Sequence, residues 1–215
     1  MKNLIIVFII IAVNYYTYSQ EVHGGVTIGA NLCTVDDGNT NNDEYVKTQL
    51  GGRLGFPVNI PVYTSGIFGA SIQPELNFTM KGSRTEVDEN NKSSYYYNYV
   101  EVPVMTKFRF GPEKFKFFVN TGPYFAYHVT YFYSTTFLGN TTNSDAETPD
   151  TERMNLMDIG WNIGAGFNIS GVMIEARYGL GFSNINKDYE LLGQTIDMTS
   201  KNRVLSFSIG FLIPE

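Results

Sequence analysis

Residues 157–171 read MDIGWNIGAGFNISG. Ile159, Trp161, Ile163, Ala165, Phe167 and Ile169 fall on every second position, with Asp158, Gly160, Asn162, Gly164, Gly166 and Asn168 between them. A two-residue period sends alternate side chains to opposite faces, so this is a strand with one apolar face and one small or polar face. The pattern recurs in segments near 22–33, 47–58, 67–82, 94–110, 115–133, 157–169, 172–186 and 202–213. Repeated alternation admits two architectures. In a soluble sandwich or barrel the apolar face points inward. In a membrane barrel it faces lipid and the polar face lines the interior.

The connections between the segments alternate in length. Residues 34–46, 83–93, 134–156 and 187–201 form long polar loops, whereas 59–66, Gly111–Lys114 and Ser170-Gly171 are short turns. Long and short connections in strict alternation are expected of an up-and-down barrel in an outer membrane, with loops outside, turns in the periplasm and both termini periplasmic.

The apolar phase sharpens the choice. It is even-numbered in the first four segments (Val26, Ile28; Leu50, Leu54; Leu76, Phe78; Val102, Val104) and odd in the next two (Phe117, Val119, Phe125). It is even in the seventh (Ile174, Tyr178) and odd in the eighth (Phe207, Ile209). Within the segment interiors this phase carries no charged residue, as the cost of a charge against lipid requires. The opposite phase holds Arg53, Gln73, Glu75, Asn77, Lys81, Glu101, Lys107, Arg109, Lys116, Asn120, Glu175 and Arg177. Tyr96 and Tyr131 at the loop side, and Phe56, Phe110, Phe115 and Phe211 at the turn side, match aromatic girdles at the headgroups. The fold expected is all-β, an eight-stranded antiparallel up-and-down transmembrane β-barrel. Pro74, Pro103 and Pro123 lie inside strands of a sheet with no free edge, where bulges or register shifts are expected.

The start of the chain, MKNLIIVFIIIAVNYYTYSQ, combines Lys2, an apolar run from Leu4 to Val13, and Thr17 and Ser19 before Gln20. This reads as a secretory signal peptide over residues 1–19, leaving 20–215 as the barrel domain. No later apolar run approaches the length of a transmembrane helix, so membrane residence requires a closed barrel. Fifteen basic against 21 acidic residues give a net charge of −6, which argues against nucleic acid as a partner. The single cysteine, Cys33, excludes an intramolecular disulfide.

The segment YYYNYVEVPVMTKFRFGPEKFKFFVNTGPYFAY (residues 95–127), with ELNFTMKG (75–82), EARYGLGFSNI (175–185) and KNRVLSFSIGFLI (201–213), resembles the PorT-like outer-membrane β-barrel family of Gram-negative bacteria. The likeness covers the mature chain. It implies an eight-strand barrel, and the founding member implies a link to protein secretion. Barrels of this kind often end on an aromatic residue. Here the chain ends Ile213-Pro214-Glu215, and Phe211 is the candidate substitute.

Candidate chemistry is sparse. His23 and Cys33 share a strand phase, but ten residues of strand hold them roughly 33 Å apart, too far to share a metal. His128 faces inward near the loop end and is the one candidate for a rim enzyme site. No Gly-rich phosphate loop opens a helix, and no cofactor is expected. The inward charges Arg53, Glu75, Glu101, Lys107, Arg109, Glu175 and Arg177 are expected to pair as a structural lumenal ion network, since unpaired buried ions are costly. Gly160, Gly164 and Gly166 are expected to leave room for Arg and Glu side chains. The acidic loop residues Asp36, Asp37, Asp43, Glu44, Asp145, Glu147, Asp150 and Glu152 read as a solvated surface, or as ligands for divalent ions that bridge to lipopolysaccharide.

Three functions follow as expectations. The first is an integral outer-membrane barrel with a non-enzymatic role in the envelope, in surface contact or as an accessory of export, its partners outer-membrane lipid and envelope or secretion proteins. The second is a soluble secreted or periplasmic barrel that binds a small apolar ligand. The third is a barrel enzyme with a rim site near His128.

Overall fold

A computed structural model describes residues 22–38, 45–112, 114–191, 194–196 and 199–213. The expected signal peptide, and Asp43 and Glu44, lie outside the described residues. Eight long strands form the wall: β1 (His23–Asp36), β2 (Gln49–Ser65), β3 (Phe68–Asp88), β4 (Asn91–Phe110), β5 (Phe115–Phe137), β6 (Met157–Ile169), β7 (Val172–Asn184) and β8 (Lys201–Ile213). Every strand pairs antiparallel with its sequence neighbours, and β1 pairs with β8, so the sheet closes on itself. Closure leaves no edge in the barrel wall.

The apolar phase faces outward on every strand. Ile28, Leu54, Phe78, Val102, Phe125, Ile163, Ile174 and Phe207 are exposed, while Asn31, Arg53, Asn77, Glu101, Asn120, Asn162, Glu175 and Ser206 are buried. That distribution is the inverse of a soluble core and suits a lipid solvent. Phe56, Phe110, Phe115 and Phe211 are exposed at the turn end, and Tyr96 stacks on Phe132 toward the loop end at 4.5 Å. Arg203, in the outward phase of β8, is held at the loop end by Asp36, 2.7 Å away, and donates to the Gly181 carbonyl.

Three expectations about connections require correction. Residues 83–93 are no loop: β3 and β4 continue to Asp88 and Asn91 and close around Glu89-Asn90. Residues 59–66 are largely strand, with the turn at Gly66-Ile67. Residues 134–137 extend β5, which then pairs with a short strand, Asn140–Asn143. The cause is common to the loop-side cases. Beyond the lipid band both faces of a strand meet water, so Ser83, Arg84, Thr85, Glu86, Lys92, Ser93 and Ser94 lose the apolar alternation while the ladder carries on. With Val46–Lys47 paired to β3, these extensions raise a tier of sheet above one side of the barrel.

Pro74, Pro103 and Pro123 do not cause register shifts. The shifts lie at Pro61/Tyr63, Glu86/Asp88, Asn98/Tyr99 and Lys201/Arg203, while the register on either side of Pro74, Pro103 and Pro123 is unchanged. A proline removes one donor toward one neighbour. The strand tolerates that loss without an inserted residue.

Candidate functional site

The inward faces of the eight strands fill the barrel with charge and aromatic rings in two clusters. The first centres on Glu75 of β3. Arg53 of β2 donates to its Oε2 at 2.6 Å, and Arg177 of β7 grips both oxygens from across the lumen at 2.7 and 2.9 Å. Gln73 and Asn77 add donors at 2.8 and 3.2 Å. Arg177 also donates through Nε to Glu175 at 2.7 Å, and Asn120 donates to the same carboxylate at 2.9 Å. Each carboxylate therefore has charge-assisted partners, the condition under which buried ions are tolerated.

The second cluster lies toward the loop end. Lys81 of β3 sits between Glu101 of β4 at 2.8 Å and Asp158 of β6 at 2.9 Å. Asp158 also accepts from Asn202 at 2.9 Å and from the Tyr124 hydroxyl at 3.2 Å. The Lys81 ammonium lies 4.3 Å from the Tyr124 ring centre and 5.0 Å from that of Tyr99, within cation–π range. Between the clusters remains a cavity of about 20 Å³, lined by Arg53, Lys81, Glu101, Tyr124 and Arg177 among others. That volume is room for about one water molecule.

Of the seven expected network residues, Arg53, Glu75, Glu175 and Arg177 meet in one cluster. Glu101 belongs to the other, with Lys81 and Asp158, neither of which was among the seven. Both carried the signal that marks the rest, a charge in the inward phase. Lys107 and Arg109 pair with no carboxylate among the described residues. The Lys107 ammonium contacts Gln73 Oε1 at 3.1 Å and Met173 Sδ at 3.2 Å and lies 3.8 Å from the centre of the Phe118 ring. Arg109 is half-buried at the turn end.

The glycine expectation holds at one position of three. A Cβ on Gly164 would meet Asn120 and Glu175 at 2.5 and 2.9 Å, so this glycine makes room for a charged side chain. Gly160 and Gly166 instead clear the rings of Tyr124 and Phe118. Aromatic plugs, as much as ions, set the small residues on β6.

His128 is buried. Its ring stacks on Tyr99 at 4.8 Å and meets the edge of Tyr97 at 5.4 Å. Among the described residues neither ring nitrogen has a hydrogen-bond partner of good geometry, so none of their Asp, Glu or Ser side chains stands in relay with it. In the outer loops, Asp150 pairs with Arg153, and Glu147 accepts from the Tyr131 hydroxyl. Among the described residues no group of three metal-ligating side chains converges. Cys33 is buried, its Sγ 3.7 Å from the Met80 carbonyl.

A family model described as outer membrane protein beta-barrel domain matches residues 18–187. No curated protein matches the chain. Among solved structures, Neisserial surface protein A aligns at 9% identity and TM-score 0.42, covering 88% of this chain and 97% of its own. The outer membrane enzyme PagL aligns at 11% identity and TM-score 0.46, covering 89% and 99%. Ail, the attachment invasion locus protein of Yersinia pestis, in complex with the heparin analogue sucrose octasulfate, aligns at 13% identity and TM-score 0.43, covering 90% and 99%.

Proposed function

Because the chain belongs to the outer membrane protein β-barrel domain family, we propose that it works in the outer membrane as a closed, non-enzymatic barrel that presents a surface-contact platform. The observation that carries this reading is the plugged lumen beneath an extended loop-side tier. Two ion clusters leave a space of about 20 Å³ between them, which suits a scaffold better than a conduit. Above it, β3, β4 and β5 rise past the lipid band to tips where Val87, Phe137 and Leu138 are each at least 66% exposed. Leu138 adopts a positive φ of 49° beside Gly139 at 80°, a turn geometry that Asn or Gly takes more readily than Leu. An apolar side chain held there at a steric cost suits a contact residue. The tier then faces the outside of the cell, and the short turns face the periplasm.

Within the family we place the chain with the PorT-like barrels, on Tyr99–Val104 and Gly122–Tyr124. An export-accessory role is the corresponding second reading, in which the turn end meets the secretion machinery.

The test joins two measurements on the full chain. Proteoliposomes carrying it should stay tight to small ions. Cells displaying it should aggregate or adhere, and Phe137→Ser with Leu138→Asn should weaken that contact without changing heat-modifiable gel mobility. Ion leakage, or adhesion indifferent to the tip, overturns the platform reading.

A further inference from the structure

The turn-end mouth of the lumen is a cationic corner with unused donors. The β3–β4 register sets Ser71 opposite Lys107 and Gly69 opposite Arg109. Ser71 donates to Asn59 Oδ1 at 2.7 Å, which brings β2 into the same corner. Asn59 is 1% exposed, and its Nδ2 has no acceptor among the described residues. Arg109 lies with Nη2 3.2 Å from where a Gly69 Cβ would stand, and its buried Nε has no acceptor among the described residues either. Lys107 is 1% exposed and makes its contacts to an amide oxygen, a thioether and a ring, with no counter-ion among the described residues. Glu75 and Glu175, the nearby inward carboxylates, are already engaged by Arg53 and Arg177. Lys114 and Lys116, on the turn and first strand residues below, add like charge.

A buried ammonium and unpaired N–H groups are expensive unless an acceptor joins them. We propose that Lys107, Arg109 and Asn59 form a binding site for a phosphate-type oxyanion at the turn end of the barrel. One oxyanion supplies acceptors for all three side chains and the missing negative charge together. Phe110 and Phe115, exposed on the β4–β5 hairpin, put this corner at the level of the headgroups. The oxyanion is therefore either a phospholipid headgroup phosphate or free phosphate, and both present the same chemistry to the site.

The experiment follows thermal unfolding of the purified full chain by heat-modifiable gel mobility. One arm compares inorganic phosphate with chloride at matched ionic strength in a zwitterionic detergent. The other compares vesicles of phosphatidylcholine alone with vesicles that also contain phosphatidylglycerol. At phosphate tenfold above its Kd, the unfolding constant of the wild-type chain should fall about tenfold. Arg109→Gln and Lys107→Met should lose the response, and Arg153→Gln, on an exposed outer-loop side chain, should keep it. A response to inorganic phosphate identifies a free-anion site. A response confined to phosphatidylglycerol vesicles identifies a headgroup site. Arg109 is half-buried, so Arg109→Gln keeps the test decisive if Lys107→Met fails to fold. No response in either arm, or an equal response from wild type and Arg109→Gln, overturns the proposal.

Discussion

Replacing Glu75 by Ala should be among the most damaging single truncations in the lumen. The carboxylate accepts five hydrogen bonds, two of them from Arg177 and one each from Arg53, Gln73 and Asn77. Arg177 keeps Glu175 through Nε, so its charge stays partly compensated. Arg53 loses its one salt bridge among the described residues, while its side chain remains 4% exposed. Leaving an uncompensated buried charge typically costs about 3–5 kcal/mol, and the retained Glu175 places the expected loss at about 4 kcal/mol within that span. The exposed Asp36–Arg203 pair is the control, since Asp36→Asn should cost at most about 1 kcal/mol. Urea titration of the protein refolded into lipid vesicles, read by the unboiled gel shift, measures both. The double variant Glu75→Ala with Arg53→Met should recover part of the loss, because it removes the orphaned charge. A Glu75→Ala loss no greater than that of Asp36→Asn would refute the claim that this cluster carries stability.

Other outcomes follow from the same packing. Gly122→Val should abolish folding into vesicles, since a Cβ there would stand 2.0 Å from the Val104 carbonyl oxygen, whereas Gly52→Ala meets nothing within 4 Å and should fold normally. Val102→Arg, on the lipid face, should cost about 2–4 kcal/mol in the urea titration, and Val87→Arg at the outer tip should be near neutral. Trp161, 43% exposed with Nε1 bonded to Thr121 Oγ1 at 2.7 Å, should be quenched by brominated lipid in vesicles. Asp88 accepts from the Asn91 side chain and, more weakly, from the Asn90 amide, which hold its carboxyl below the ordinary Asp range. Its contribution to order in the β3–β4 turn is present above the unfolded-state pKa and is lost as pH falls through the lowered folded-state value. NMR shifts of Asn90 and Asn91 should report that transition, and Asp88→Asn should remove it.

What the sequence determined by itself was sidedness. Strand side chains alternate with a fixed period of two, so once the alternating loop lengths and the charge-free apolar phase select a membrane barrel, that phase assigns Trp161 and Phe167 to lipid and Asp158 and Gly164 to the lumen. It also gave the number of strands, because each segment of the wall repeats that signal. It did not give strand ends, since β3, β4 and β5 outlast the apolar alternation once they leave the lipid. Nor did it show which inward charges meet. Glu75 and Arg177 are 102 residues apart and join across the lumen, and Glu101 found Lys81 and Asp158 instead of joining Glu75. Those meetings depend on the height and angular position of each side chain. Both are set by the register of all eight ladders, and an extra residue at Val129, opposite Asn98/Tyr99, shifts them. Alternation says which way a residue points. Only the closed sheet decides what it meets there.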